Sequence, residues 1–504
     1  MSGIDSSWPQ PIRMLVEGLL RGLSFLRSLM ERCRAFERRC ASQARVIDRL
    51  RTERKRLKKK LEEALRAGKR QASPFSKGSP KPSPRRPGRK PGRDHGPVNL
   101  RRRPEHVDET HVAAVPLTCD HCGEDVEVDR VESQFQWDIL LNLHARVQVV
   151  IREFKVQIGH CGCPGRRWQG RHELQTSDAL GSAACQIGPG VVAMAAHMHK
   201  VMGTPFAKIA LFLSLFLKLD VQASTLVRAV LRLAKKAQPA YERIHELVRT
   251  SPVAYPDETG WRIRGKKAWL HVFVGVRPGG VKLVLYVIAR SRGFEVAEWA
   301  LGRNFAGLMG HDGWSPYDRF VRAEHQTCNN HLLNRCNHLL EDATRRAVSF
   351  PRGLKAIIQA AFAARDRYLD GDVSYRGLQV VRGQLEHRLG RLLLMDLSHS
   401  GNARLAKHVR KHQDEVFTFL KHPDEIEGTN CYAEQETRPA VIARKISGCN
   451  KTWVGAHAHA VLVSHFRSAY HAGESGVEWL VVIQRQRGAV AQTLPAYLAA
   501  SGPT

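Results

Sequence analysis

The stretch Val253-Ala-Tyr-Pro-Asp257 is a short run with β-strand character that ends in an acidic residue. Two longer β-rich runs follow, over 267–275 and 281–288, and the turn signal Arg277-Pro-Gly-Gly280 separates them. After a helical stretch, Gly307-Leu-Met-Gly-His-Asp312 is a second short apolar run that ends in an acid. This order of three strands, a helix and a further strand predicts an α/β core with a mixed sheet flanked by helices.

The same order occurs in ribonuclease H-like folds, in which the ends of the first and fourth strands lie side by side. Asp257 and Asp312 would then meet and could share divalent cations. Phosphodiester chemistry uses two such ions about 3.5–4 Å apart, and hard oxygen ligands suit Mg²⁺. Taken singly, either aspartate is more simply explained as a turn cap, so the prediction depends on the pair.

The composition indicates a folded protein with a polyanionic partner. Of 504 residues, 43% are hydrophobic and 25% are charged, which predicts two to four domains. Lys and Arg number 79 against 48 Asp and Glu, giving a net charge of +31. Such a charge favours nucleic acid as the partner; a membrane surface or ribosomal RNA is the alternative.

The cysteine content and the N-terminus favour a reducing, cytoplasmic location. The chain has 11 cysteines, an odd number, and no secretory signal is visible. The most apolar stretch, Ile209 to Leu217, is far short of the roughly 20 residues that span a bilayer. We therefore expect no membrane partner.

Residues 13–66 lack proline and repeat apolar residues in heptads, which predicts a coiled coil that pairs protomers. The alternative is an amphipathic helix packed on its own protein. The seam positions are Leu19, Leu26, Cys33, Cys40, Ile47 and Leu61, with Leu29, Phe36, Leu50 and Leu57.

Residues 67–104 are rich in Pro, Gly, Ser, Lys and Arg, which predicts an extended basic linker. Its Gly-Arg-Lys-Pro sequence loosely resembles the AT-hook, which places arginine in a narrow minor groove. A solvated tether is an equally good interpretation. The candidate DNA-binding residues are Arg85, Arg86, Arg89, Lys90 and Arg93.

Residues 105–175 predict a small zinc-ribbon-like domain. Cys119-Asp-His-Cys122 and His160-Cys161-Gly-Cys163 offer two close thiol pairs, joined by a segment with β-like alternation. Tetrahedral Zn²⁺ needs four such ligands from two turns. We expect Cys119, Cys122, Cys161 and Cys163 to bind structural Zn²⁺, although His160 could replace one thiol. A ribbon held by packing alone is the alternative.

Residues 176–250 have a helical pattern. Asp220 to Arg228 forms a short break followed by a basic helix, the outline of a helix-turn-helix in which Arg228 would contact DNA. An ordinary helical hairpin would produce the same pattern.

Five motifs, together with this order of upstream segments, carry a specific resemblance over nearly the whole chain. The chain resembles transposases of the insertion sequence 66 family. The motifs are Asp257-Glu-Thr-Gly-Trp261, His311-Asp-Gly-Trp-Ser-Pro-Tyr317, His325-Gln-x-Cys328-x-x-His331, Thr429-Asn-x-x-Ala-Glu434 and Lys445-Ile-Ser-Gly-Cys449.

The resemblance implies a DDE transposase that cleaves transposon ends and transfers strands into target DNA. Its ribonuclease H-like (retroviral integrase-type) core would cover 251–470, with Asp257, Asp312 and Glu434 holding Mg²⁺ or Mn²⁺. The implied partners are DNA, further copies of the chain and accessory proteins of the same element, in a bacterial cytoplasm and at the nucleoid when DNA is bound.

The spacing of the acids predicts a helical insertion in the core. The gap from Asp312 to Glu434 is more than twice the gap from Asp257 to Asp312, and about 335–425 reads as helical. Residues 471–504 would form a C-terminal tail.

Four further residues near the acids have two interpretations each. The resemblance implies that Cys328 and His331 support the core, although their spacing also suits a metal pair. Trp261 and Trp314 could stack on a DNA base, but core packing is the simpler interpretation.

The chain departs from the family pattern beside Glu434. Cys431 and Gln435 stand where the family usually has Asn and Arg, and Pro439 is expected to kink or shorten the helix. Glu436 would face away from Glu434 on a helix. These departures keep two alternatives open: a degenerate or non-catalytic DNA-binding protein, and a ribonuclease H-like nuclease of recombination or repair.

Overall fold

The computed structural model of the chain contains two units, Met1–Ser73 and Pro74–Thr504. In the first unit, helix α1 (Gln10–Lys69) covers the segment with the heptad pattern. The described leucines, Ile47 and Phe36 at its seam positions are 42% to 69% exposed. The predicted DNA-binding residues 85–93 lie outside the described residues, which are 9–69, 103–140, 148–162, 167–342 and 345–499.

The second unit begins with a sheet of strand order β1-β3-β2-β5, with β4 beside β3. Its long hairpin pairs Glu127 with His160 at one end and Leu140 with Gln148 at the other. The hairpin register therefore places the chain just after β3 next to the chain just before β2. The strands are β1 (Glu109–Ala113), β2 (Glu127–Leu140), β3 (Gln148–His160), β4 (Arg167–Gln169) and β5 (Cys185–Ile187).

Helices α2 (Pro189–Lys200), α3 (Phe206–Leu217), α4 (Ala223–Lys236) and α5 (Gln238–Arg249) follow this sheet. Between α3 and α4 the chain turns through Lys218, which has a left-handed φ of 51°. α4 buries Leu226 and Val230 in the core and leaves Arg228 exposed.

A second sheet has the strand order β10-β9-β6-β7-β8. β6 is antiparallel to β7 and parallel to β9. Arg264 and Gly265, with φ of 52° and 78°, form the two-residue turn of the β6–β7 hairpin. The elements are β6 (Val253–Ile263), β7 (Lys266–Val276), β8 (Lys282–Ala289), helix α6 (Phe294–Leu301), β9 (Leu308–His311) and β10 (Glu324–Thr327).

The expectation that the first strand ends at Asp257 is wrong, because β6 continues to Ile263. Its pairing with β7 holds the strand extended as far as the turn. On the other side, β6 pairs with β9 only at Val253 and Ala254. Asp257 therefore lies inside a strand, just beyond the point where β9 leaves it.

Between β10 and α12 the described chain is helical, and α12 is followed by three more helices. α12 passes through Pro439 to Ser447, so the expected shortening at this proline does not occur. The N–H that proline lacks would bond to the carbonyl of Gln435, an exposed residue whose carbonyl water can reach. The helices are α7 (Asn329–Asp342), α8 (Ser349–Leu369), α9 (Tyr375–Leu393), α10 (Ser400–Lys411), α11 (Thr418–Lys421), α12 (Cys431–Ser447), α13 (Trp453–His471), α14 (Gly476–Arg485) and α15 (Ala496–Ala499).

Helix α13 covers β8, the edge strand of the second sheet. The hydroxyls of Ser464 and Ser468 accept hydrogen bonds from the backbone N–H groups of Tyr286 and Val284, at 2.8 and 2.9 Å. These bonds satisfy edge donors that could otherwise pair with another strand. Among the helices of the described residues, none combines the length and apolarity needed to cross a membrane.

Candidate active site

Asp257 is a largely buried acid in β6. Burial raises the pKa of its carboxyl to about 7, and the negative charges of Glu258 and Asp312 raise it further. The hydroxyl of Thr437 donates a 2.8 Å hydrogen bond to Oδ2 of Asp257. This side chain is therefore anchored on one side and faces like charge on the other.

Asp312 directly follows β9, which lies beside β6 in the sheet. The backbone N–H of Trp314 donates a 2.9 Å hydrogen bond to Oδ1 of Asp312. Its side chain is close enough for its charge to raise the pKa of Asp257. The structure therefore brings together the two aspartates that the sequence pairs.

Glu434 lies in the first turn of α12 and is 42% exposed. Its Oε1 lies 3.5 Å from Nδ1 of His331 and 4.0 Å from Sγ of Cys328. Thr437, which contacts Asp257, is one helical turn further along the same helix face. The structure thus places Glu434 directly against Cys328 and His331, with α12 fastened to β6 one turn away.

Glu436, the other acid of this helix, is engaged on the opposite side. Its side chain is 2% exposed, and Arg467 and His471 donate hydrogen bonds to it at 2.6 to 2.9 Å. Although burial alone would raise it, the bonds from Arg467 and His471 lower the pKa of Glu436 to about 2. The role of Glu436 is to join α12 to α13.

The sequence reasoning missed a buried ion pair beside Asp257. The Glu258 side chain is 2% exposed, and burial raises the pKa of its carboxyl. Arg292 Nε and the hydroxyl of Tyr317 donate hydrogen bonds to Glu258 at 2.9 and 2.7 Å. The signal in the sequence was the Asp-Glu pair itself, but alternation along a strand suggested that Glu258 would face elsewhere.

The two tryptophans that follow the aspartates differ in their surroundings. Trp261 is buried, and its Nε1 donates a 2.9 Å hydrogen bond to Asn450, so its ring packs in the core. Trp314 is half-buried, and the guanidinium of Arg292 lies 4.3 Å from its ring centre.

A separate cluster of thiols lies at the end of the β2–β3 hairpin. The Sγ atoms of Cys119, Cys122 and Cys161 lie within 4.8 Å of one another, with 3.5 Å between those of Cys161 and Cys119. Backbone N–H groups of the two turn residues that follow hold the pKa of Cys119 at about 6. Cys163 lies outside the described residues, and Nδ1 of His160 contacts Asp129 at 2.7 Å.

The family model described as transposase IS66 family matches residues 184–458, more than half of the chain. The chain belongs to the IS66 family of transposases. The matched part of this IS66 transposase begins just before β5 and ends within α13, so it contains Asp257, Asp312 and Glu434. Membership confirms the resemblance seen in the sequence. A comparison with curated proteins found no match.

The residues of the site fit the divalent metal that the transposase family implies. Asp257 and Asp312 offer the hard carboxylate oxygens that Mg²⁺ prefers. Their mutual repulsion and the burial of Asp257 are visible in its raised pKa, and a bound cation would relieve both. The donor chemistry therefore suits Mg²⁺ or Mn²⁺.

Proposed function

We propose that this transposase cleaves DNA at transposon ends and joins the freed ends to target DNA. In this proposal Asp257, Asp312 and Glu434 form a DDE triad in a ribonuclease H-like core. The strand order β10-β9-β6-β7-β8, with α6 before β9, supports such a core. Family membership supports DNA as the substrate.

The hydrogen bond between Thr437 and Asp257 is the observation that carries the proposal. It fastens α12, the helix of Glu434, to the strand of the first aspartate. Asp312 faces the same strand from β9. Two aspartates meet, and a third acid stands one helical turn from the bond that holds its helix in place.

Mg²⁺ or Mn²⁺ ions held by the three acids would neutralise charge on the phosphate and help to deprotonate the attacking oxygen. The residues of the chain would do the positioning. Thr437 fixes one Asp257 oxygen, and the Trp314 N–H fixes one Asp312 oxygen, so the remaining oxygens have defined directions. Such preorganisation is a large part of catalysis in phosphoryl transfer.

The upstream segments would bring the DNA and the protomers together. The thiol cluster of Cys119, Cys122 and Cys161, completed by Cys163, would hold structural Zn²⁺ in a ribbon. The exposed seam of α1 supports pairing of protomers through a coiled coil, because an isolated helix would leave it in water. The basic linker and the exposed Arg228 of α4 would contact phosphates. Accessory proteins of the element remain expected partners.

A strand-transfer assay on the element's own ends with Mg²⁺ tests this function. Asp312→Ala should reduce joining at least about a hundredfold, because charge stabilisation is lost. Asp318→Ala is the matched control, since Asp318 is a half-buried acid nearby that pairs with Lys411. Equal joining by wild type and Asp312→Ala would refute the triad. Cleavage without joining would favour a nuclease, and DNA binding without either would favour a degenerate copy.

A further inference from the structure

Three side chains of different metal-binding chemistry meet beside the aspartate pair. Cys328 lies just before α7, His331 in its first turn and Glu434 in the first turn of α12. One ligand atom from each lies within 4.8 Å of the other two. Metal–ligand bonds of about 2.0–2.3 Å place the ligands of tetrahedral zinc a little under 4 Å apart. Small side-chain rotations would therefore bring all three atoms onto one ion.

The imidazole of His331 points to a ligand at this place. Its Nδ1 atom is buried and has no hydrogen-bond partner among the described residues, although it lies 3.5 Å from Glu434 Oε1. The side chain as a whole is 42% exposed. A buried ring nitrogen without a partner is unusual, and coordination of a cation would satisfy it.

The surroundings of the thiol point the same way. The backbone N–H of Asn430 donates to Cys328 Sγ over 3.1 Å, and the N–H groups of Asn330 and His331 donate to the same sulfur. The last two bonds would be made by any residue that caps α7. The bond from Asn430 comes from the chain before α12 and is not a capping contact. Cys119, in the zinc-ribbon cluster, likewise accepts N–H groups of its own turn.

We propose that Cys328, His331 and Glu434 form a second cation site, selective for a thiophilic divalent ion such as Zn²⁺. A sulfur, nitrogen and oxygen donor set favours Zn²⁺ over Mg²⁺. Binding transfers the thiol proton of Cys328 to solvent. A fourth position stays open to water, because His331 and Glu434 are both partly exposed.

This site would regulate the enzyme through the residue that it shares with the triad. An ion held by Cys328 and His331 would hold the Glu434 carboxylate away from the aspartate pair. Zn²⁺ would then inhibit Mg²⁺-supported cleavage. This consequence rests on the proposed function, whereas the cation site itself does not.

Cobalt binding tests the site without any activity measurement. Co²⁺ is added to the full-length protein, and its thiolate charge-transfer absorption counts sulfur-ligated ions per chain. Cys328→Ser should bind one equivalent fewer than wild type, whether or not the ribbon also binds cobalt. Cys336→Ser is the matched control, since Cys336 is a buried thiol of α7 outside the cluster, and it should bind as much as wild type.

His331→Ala keeps the test decisive if Cys328→Ser does not fold, because its partly exposed ring can be removed with little loss of packing. It should weaken cobalt binding at that site at least about tenfold. The proposal is overturned if every folded variant of Cys328 and His331 binds cobalt as wild type does.

The regulatory arm uses the cleavage assay with Mg²⁺ and increasing Zn²⁺. Cys328→Ser should need at least about tenfold more Zn²⁺ than wild type for half inhibition. Equal zinc sensitivity in wild type and Cys328→Ser would overturn the regulatory role. If wild type cleaves nothing in Mg²⁺, the proposed transposase function fails, and the cobalt titration still decides the cation site.

Discussion

The hydroxyl of Thr437 in α12 donates a 2.8 Å hydrogen bond to the carboxylate of Asp257 in β6, across 180 residues of sequence. The bond joins the helix of Glu434 to the central strand of the second sheet. It also leaves only part of the Asp257 carboxylate free for a cation. One hydroxyl thus links the orientation of a proposed metal ligand to the position of the third acid.

Removal of this hydroxyl should slow DNA cleavage. In Thr437→Val the shape is retained but the donor is lost, and Asp257 can rotate. A hydrogen bond to a charged group contributes about 1.5–3 kcal/mol, so cleavage at saturating Mg²⁺ should fall at least about tenfold. Thr437→Ser keeps the donor and should retain most of the activity. Equal loss in the Val and Ser variants would contradict a role for the hydroxyl.

The raised pKa of Asp257 predicts competition between protons and Mg²⁺. Because burial raises this pKa to about 7, the acid is largely protonated at pH 6 in the absence of a cation. The Mg²⁺ concentration for half-maximal cleavage should therefore rise about tenfold from pH 8 to pH 6. A Mg²⁺ requirement that is constant across this range would show that Asp257 does not titrate there.

The same shift predicts how stability depends on pH without metal. The pKa of Asp257 is higher in the folded state than its ordinary value of 3.8, so the folded state binds the proton more tightly. Its contribution to stability is present below pH 3.8 and is lost as the pH rises through about 7. At pH 8 in chelator, Asp257→Asn should raise Tm by at least about 2 °C. Asp318→Asn should not, and at pH 5 the gain should shrink.

Much of the fold and part of the site follow from local sequence. The apolar runs predicted the strands, and the spacing of their acids predicted that Asp257 and Asp312 would meet. The extent of β6 was missed, because the pattern after Asp257 is polar and only the turn at Arg264 and Gly265 shows that the hairpin continues. A positive φ at arginine has no sequence signature.

Contacts between distant segments were beyond sequence reasoning. Cys328 and Glu434 are 106 residues apart, and nothing in either motif says that the thiol faces that acid. The Arg292–Glu258 pair joins the loop before α6 to β6 across 34 residues. Both contacts depend on how helices seat on the sheet, which local periodicity does not encode.

The Glu258–Arg292 pair should stabilise the site mainly by avoiding an unpaired buried charge. Arg292→Met leaves the Glu258 carboxylate buried with Tyr317 as its remaining partner. The free energy of unfolding should fall by about 2 kcal/mol, less than for a fully buried pair because Arg292 is 39% exposed. Adding Glu258→Gln should restore most of the loss. A double variant as unstable as Arg292→Met would contradict this account.

Zinc content should distinguish a metal-bound ribbon from one held by packing. Three thiols already lie within 4.8 Å of one another at the end of the β2–β3 hairpin, and tetrahedral zinc requires one more ligand. Cys119→Ser and Cys163→Ser should each lose one equivalent of zinc from protein purified without chelator, and both should unfold at a lower temperature. Cys185→Ser, in β5 and outside the cluster, should keep its zinc. If Cys163→Ser alone retains zinc, another group supplies the fourth ligand. If Cys119→Ser also retains it, the ribbon is held by packing and the thiols have no structural metal to bind.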